Sequence, residues 1–449
     1  MKENNRISFG SKFGVYVATV GSAVGLGNIW RFPYLTGNNG GAAFILIYLI
    51  CVLLIGIPIF MSELIIGRRG QGNSFRVFKN LAPEKPWYFI GILGFFSVFI
   101  ILSFYGTIAG WTIEYIYLSV KSLFVQTQNS DYTAVFNDFH TSTFAPVVCQ
   151  ILFMIMTAII ILFGVQKGIE NCSKILLPIL FVILVILCVR SLMLPNSIEG
   201  LKFLFYPDFS KITTSVFLNA LGQAFFSLSI GMGTIITYGS YVKKDNNLPK
   251  TSFLVSLTDM FIAILAGVAI FPALFSFGMS PSEGPGLVFI VLPEVFGQMV
   301  GGSFFSLLFF ILLLVAALTS SISLLEVVVL FLIEECKMKR WAATVVSAIG
   351  ATILGVFTTL SFGPLKDVNI FGKSIFDSAD FLATNIFLPL SGFFIVIFLG
   401  WFYPKKNIKN EITNDGTIRF KLFPIYLFII KFVAPIAIIF VFLRGLGIL

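Results

Sequence analysis

The chain has 449 residues, of which 57% are apolar, 16% aromatic and only 11% charged, and its net charge is +9. A soluble domain needs roughly a quarter of its residues charged to clothe its surface, so that class is excluded. One His (His140, in a loop) and five scattered Cys without a CxxC pair leave no basis for a histidine metal site, a histidine proton relay or a disulfide framework.

The chain opens with MKENNRISFGSKF, a short polar lead with no cleavage site. The first apolar run is therefore read as mature structure and not as a signal peptide. Apolar runs near the length that crosses a bilayer then recur to the end. They predict eleven membrane helices, over 11–36, 39–67, 88–123, 145–163, 168–191, 217–243, 251–277, 303–336, 340–362, 378–403 and 424–446. No segment between them is long enough for a soluble domain, so 1–449 reads as one transmembrane unit of the all-α polytopic class. The stretch PEVFGQMVGGSFF suggests a helical external loop before span 8. With the N-terminus in the cytoplasm, Lys and Arg fall three times as often on cytoplasmic segments as on external ones. That obeys the positive-inside rule, explains the basic balance without nucleic acid, and puts the C-terminus outside.

Two spans invite the backbone to break. Span 1 carries VGSAVGLGNIWRFP, and span 6 carries GQAFFSLSIGMGTIITYGSY, with Ser227, Ser229, Gly231 and Gly233 at its centre. Such glycines can serve helix packing alone. Interruptions five spans apart, each flanked by polar residues, point instead to a transporter built from repeats with its site at mid-membrane. Unwound backbone supplies carbonyls for a cation and N–H groups for a carboxylate.

Together with NGGAAFILIY, GIPIFMSELIIGR and ALTSSIS, these stretches resemble the neurotransmitter:sodium symporter family, and its bacterial amino-acid-transporting members in particular. The resemblance implies the leucine-transporter fold: inverted five-helix repeats over 11–191 and 217–403, an added span at 424–446, and helices 1 and 6 broken. It implies a multi-pass protein of the bacterial inner membrane that imports a small amino acid or amine with Na⁺, a monomer sufficing and a dimer left open.

Carried onto this sequence, the first sodium site comprises the Ala23 carbonyl, Asn28, Ser227, Asp259 and the substrate carboxylate. The second comprises the carbonyls of Gly21, Val24 and Ala316 with the hydroxyls of Thr319 and Ser320. Positions 316, 319 and 320 share one helix face. Amides near Leu26 and Gly27 and the Tyr105 phenol would hold the substrate carboxylate. Carbonyls near Ala23, Phe226 and Ser227, with Ser229, would meet its ammonium. Ser22, Ile101, Phe226, Met232, Ser320 and Leu324 would line the side-chain pocket. Gly25 stands where amine-transporting members place Asp, which favours an α-amino acid. The pliable Met232 thioether favours a large hydrophobic or aromatic one. Chloride-dependent members place Ser where Ala263 stands, and Asp259 already supplies a negative charge, so no chloride requirement is expected.

Arg31 and Asp380 match an external gate with Tyr105 and Phe226 below it. Arg6, Tyr241 and Glu334 match an internal one. Glu63 reads as a structural acid for the freed N–H groups of span 6. Gly168 and Pro178 enclose nine residues in a spacing that lets the cytoplasmic end of span 5 unwind in some bacterial members. An amino-acid sensor without transport and a proton-coupled transporter, with Asp259 titrating, stay open beside the sodium symporter. No constellation for an enzyme is present.

Overall fold

A computed structural model describes residues 8–124, 131–281 and 286–448. Among these, nine helices are long and apolar enough to cross a membrane, and the bent pair Lys12–Ala23 and Gly27–Asn38 makes a tenth. The eleventh span is the interrupted one, Thr214–Ser227 followed by Thr234–Gly239, whose halves are each too short to cross alone. Predicted and observed ends agree within about four residues, the spread expected where helix ends fray. The helical loop before span 8 is present as Leu287–Gln298.

Helix starts are fixed by side chains that satisfy otherwise orphaned N–H groups. Ser11 accepts from Gly14 N–H at 2.9 Å, Thr213 from Val216 N–H at 3.3 Å, and Asn247 from Lys250 N–H at 2.9 Å. Span 8, Gly302–Glu335, is the central post: 78% of its most apolar stretch is buried against the other helices, compared with 33% for the last span, Phe423–Gly445, which lies at the periphery.

Both predicted breaks are present. Span 1 leaves the helix at Val24, which is extended (φ −75, ψ 113), and its halves diverge by 47°. In span 6, Ser229, Gly231 and Gly233 take φ of +53, +81 and +74. Glycine adopts that left-handed region without steric cost, which explains two of the three positions. Ser229 is compensated by donating its hydroxyl to the Ser22 carbonyl at 2.9 Å, tying one break to the other. Glu63 of span 2 accepts the freed Gly231 N–H at 2.7 Å, as expected of a structural acid.

Candidate functional site

The two breaks meet the middle of span 7, Leu248–Ser276, at Asp259. This carboxylate is fully buried. Asn28 Nδ2 donates to its Oδ1 at 2.7 Å, the Ser227 hydroxyl lies 2.9 and 2.7 Å from its two oxygens, and the Tyr48 hydroxyl donates to Oδ2 at 3.3 Å. Among the described residues no Lys or Arg comes within 4.0 Å of it. An ionised carboxylate held away from water only by neutral donors is costly, and a monovalent cation among these oxygens would offset that cost. Asn28 presents its NH₂ side to Asp259 and keeps Oδ1 on Gly25 N–H at 3.0 Å, which leaves one lone pair of that oxygen for an ion.

A second oxygen cluster joins span 1 to span 8. The Thr319 hydroxyl reaches the carbonyls of Val24 and Ala316 at 3.1 and 3.0 Å, and Ser320 reaches those of Val24 and Ser22 at 3.2 and 3.4 Å. Gly21 packs so closely that an added Cβ would lie 3.5 Å from Thr319 Cβ and 3.3 Å from the Ser173 hydroxyl of span 5. All five residues expected at the second ion site are thus neighbours.

Between the clusters lies a small cavity lined by Ser22, Ala23, Gly25, Gly27, Ile101, Tyr105, Phe226, Ser229, Met232, Ser320 and Leu324. That set contains the whole side-chain pocket expected from the sequence. Leu26 N–H donates to the Tyr105 hydroxyl at 3.3 Å, so the phenol and the break amides occupy one spot. The cavity measures only about 20 Å³, room for a water molecule rather than an amino acid. Residues of its wall must therefore shift if a substrate is to enter.

The gates differ in part from expectation. Arg31 and Asp380 line one cavity of about 240 Å³, but no ion pair within 4.0 Å joins them. Arg31 instead sets its guanidinium over the Phe226 ring, 4.4 Å from the centroid. At the end expected to face the cytoplasm, Arg6 lies outside the described residues, and Glu334 accepts from the backbone and side chain of Asn73 at 2.8 and 3.0 Å. Tyr241 donates to a different carboxylate, Glu326, at 2.8 Å, and Arg340 pairs with that same carboxylate at 2.5 Å. Phe9 seals this side: its N–H donates to the Tyr241 carbonyl at 3.2 Å and its ring meets Tyr238 and Tyr241 edge-on.

Glu326, Tyr48 and Gln223 were missed by sequence reasoning. An acid inside span 8 was a legible signal for Glu326. Tyr48 sits within the NGGAAFILIY stretch but carries no mark of its partner. Gln223 Nε2 donates to the Gly27 carbonyl at 2.7 Å, bracing one break with the other.

Span 5, Val165–Leu192, opens with a wide helical turn, Val165–Glu170, containing Gly168, and holds Pro178 inside its regular part. That turn grips the start of span 1. Glu170 accepts from Gly10 N–H at 2.7 Å and the Ser11 hydroxyl at 3.3 Å, and Gln166 donates to the Ser8 carbonyl at 2.6 Å.

Residues 6–143 and 142–447 match the sequence profile described as the sodium:neurotransmitter symporter family. The Bacillus subtilis protein YhdH, named an uncharacterized sodium-dependent transporter, is 39% identical over 449 residues, all of both chains. The mouse sodium-dependent neutral amino acid transporter B(0)AT2 is 31% identical over 308 residues, 61% of this chain and 41% of the mouse protein. The crystal structure of MhsT in complex with L-phenylalanine is 45% identical and superposes with a TM-score of 0.91, covering 98% of this chain and 100% of that one.

Proposed function

The chain belongs to the sodium:neurotransmitter symporter family, and from that premise we propose that it couples Na⁺ influx to the import of a neutral L-amino acid with a hydrophobic or aromatic side chain, by alternating access and without chloride. It is a secondary transporter of the leucine-transporter fold, not an enzyme. Matched breaks in spans 1 and 6 support reading 11–191 and 217–403 as inverted repeats. The observation that carries the transport reading is the buried Asp259, set with Asn28 and Ser227 where both breaks converge.

The two oxygen clusters suit two Na⁺ ions as cargo. Each ion crossing about 100 mV contributes roughly 2.3 kcal/mol, and a tenfold gradient adds about 1.4. Two ions then supply about 7 kcal/mol, enough for a roughly 10⁵-fold accumulation of a zwitterion. The deciding experiment is uptake of radiolabelled leucine, phenylalanine and tryptophan into proteoliposomes under a Na⁺, K⁺ or proton gradient. Uptake driven by protons without Na⁺ would overturn the coupling, and Na⁺-dependent binding without flux would make the protein a sensor.

The substrate class rests on Met232, buried in the cavity wall, and on the phenylalanine bound by MhsT. Met232→Phe is expected to weaken competition by phenylalanine and tryptophan about tenfold relative to alanine, the scale on which a pocket discriminates by side-chain size. An unchanged ranking in competition against labelled leucine would remove Met232 from the pocket.

Chloride independence rests on Asp259 and on the buried Ala263, one helical turn further along span 7. Replacing chloride by gluconate on both sides of the vesicle is expected to leave the uptake rate within about twofold, since the fixed carboxylate already balances the cation. Marked chloride stimulation would count against that balance.

Release to the cytoplasm is assigned to unwinding of span 5, which would loosen Glu170 from the start of span 1 and Ser173 from Gly21. Pro178→Ala restores a helical N–H and stiffens this segment. Substrate efflux in counterflow is expected to slow about tenfold, as a barrier raised by about 1.4 kcal/mol requires. Unaltered efflux would place the release path elsewhere.

A further inference from the structure

A larger cavity, of about 360 Å³, lies between the outer halves of spans 1 and 6, the hairpin before span 10, and spans 10 and 11. Its size is that of a small-molecule pocket. Its charged lining residues are Arg31, Lys373 and Arg444, with no carboxylate among them. None of the three forms an ion pair within 4.0 Å among the described residues. Their contacts are neutral: Arg31 lies over Phe226 at 4.4 Å, Lys373 over Phe381 at 5.1 Å, and Arg444 donates to the Ser215 hydroxyl at 2.5 Å. Asn219, Thr384 and Asn385 add uncharged polar groups to the wall. Three cations lining one cavity repel one another, and an anion placed among them would be held by charge-assisted hydrogen bonds. A zwitterionic amino acid fits poorly, because its ammonium would face the same three charges.

We propose that this cavity is a binding site for a small oxyanion of the phosphate type, separate from the substrate pocket and ligated by Arg31, Lys373 and Arg444. The phosphate group belongs either to a free anion or to an anionic lipid headgroup. Binding there has a consequence for transport. Arg31 and Phe226 also line the neighbouring cavity that holds Asp377 and Asp380. An oxyanion on one side competes with Asp380 on the other for the same guanidinium, so its binding keeps the external side open and slows uptake. This second part rests on reading Arg31 and Asp380 as the external gate; the binding itself does not.

The test uses the full chain and inorganic phosphate as probe, against chloride at matched ionic strength. Wild-type protein in detergent is expected to show a saturable rise of the melting midpoint with phosphate, as mass action requires. Lys373→Gln and Arg444→Gln are each expected to weaken the phosphate dependence about tenfold, the scale of a lost charge-assisted contact, and Arg444→Lys to recover part of it. Leucine binding in Na⁺, measured on the same samples, reports separately on the transport reading. A phosphate response that survives in nanodiscs containing phosphatidylglycerol assigns the site to free anions. A response present in detergent and in neutral-lipid discs but absent in phosphatidylglycerol discs assigns it to the lipid headgroup. No saturable response in any of these, or an equal one in both Gln variants, overturns the proposal. Wild-type uptake unaffected by phosphate that does bind overturns its link to the gate.

Discussion

Asp259→Ala is expected to abolish Na⁺-driven uptake, with Na⁺ affinity falling by about three orders of magnitude. At an effective dielectric constant of about 20, a unit charge some 4 Å from a cation contributes roughly 4 kcal/mol, which corresponds to that factor. The buried carboxylate has no Lys or Arg within 4.0 Å among the described residues, so no protein cation there already balances the charge it offers the ion. Asp259→Asn keeps an oxygen in place without the charge and should fall between the two. Stability moves differently from affinity. Without Na⁺ the wild-type protein holds a desolvated carboxylate on neutral donors. Removing it relieves that cost but orphans Asn28, Ser227 and Tyr48, so the two effects offset. The melting midpoint in K⁺ should therefore change far less than Na⁺ affinity. Uptake across a Na⁺ titration, beside melting in K⁺, separates loss of the ion site from loss of the fold. A Na⁺ half-saturation within about twofold of wild type would take Asp259 out of the ion site.

What was legible in the sequence was whatever announces itself by residue type in the wrong solvent. A Gly- and Ser-rich interval inside an apolar run marks a break, because lipid gives a freed amide no partner. Hence the breaks at Val24 and at Ser229 to Gly233 were visible. A carboxylate inside a span draws attention, and Glu63 and Asp259 both bear that mark, Asp259 being the one to which the family resemblance also pointed. Glu326 bore the same mark and was not singled out, although Tyr241 and Arg340 both converge on it. Tyr48 and Gln223 carried no mark, since a neutral side chain in an apolar run can point at packing or at a site about 200 residues away. The separation of Arg31 from Asp380 and the closed substrate cavity were not legible for another reason. They are properties of one conformation in a cycle, and one sequence must encode every conformation of that cycle.

On the proposed reading, the arrangement would also make two ions and one substrate a single event. Val24 offers its carbonyl to Thr319 and Ser320, its neighbour Gly25 gives its N–H to Asn28, and Asn28 touches Asp259. One short break thus touches both oxygen clusters, and its Gly25 also lines the small cavity between them. Ordering that break for any one of them makes it ready for the others, which is positive coupling in the thermodynamic sense. The coupling depends on backbone that can be approached closely, and this puts the demand on Gly25.

Gly25→Ala is accordingly the second substitution of large expected effect. An added Cβ would sit 2.1 Å from Ser320 Oγ, 2.9 Å from Ser320 Cβ and 3.0 Å from the Tyr105 hydroxyl. Ser320 could move only by giving up its place on the Val24 carbonyl, at 3.2 Å, and the methyl would enter a cavity of only about 20 Å³. Overpacking of this kind costs about 1–3 kcal/mol in its own right. Here it falls on the second ion cluster and on the expected carboxylate position together. Uptake is expected to drop about a hundredfold or more, as a loss near 3 kcal/mol in the loaded state requires, with weaker dependence on both substrate and Na⁺. Gly222 supplies the control. It lies inside the first half of span 6, where a Cβ would meet nothing within 4 Å. Gly222→Ala should keep uptake in phosphate-free buffer and stabilise the helix by about 0.5–1 kcal/mol. If Gly25→Ala transported as well as Gly222→Ala, neither the substrate carboxylate nor the second ion could lie against the break in span 1.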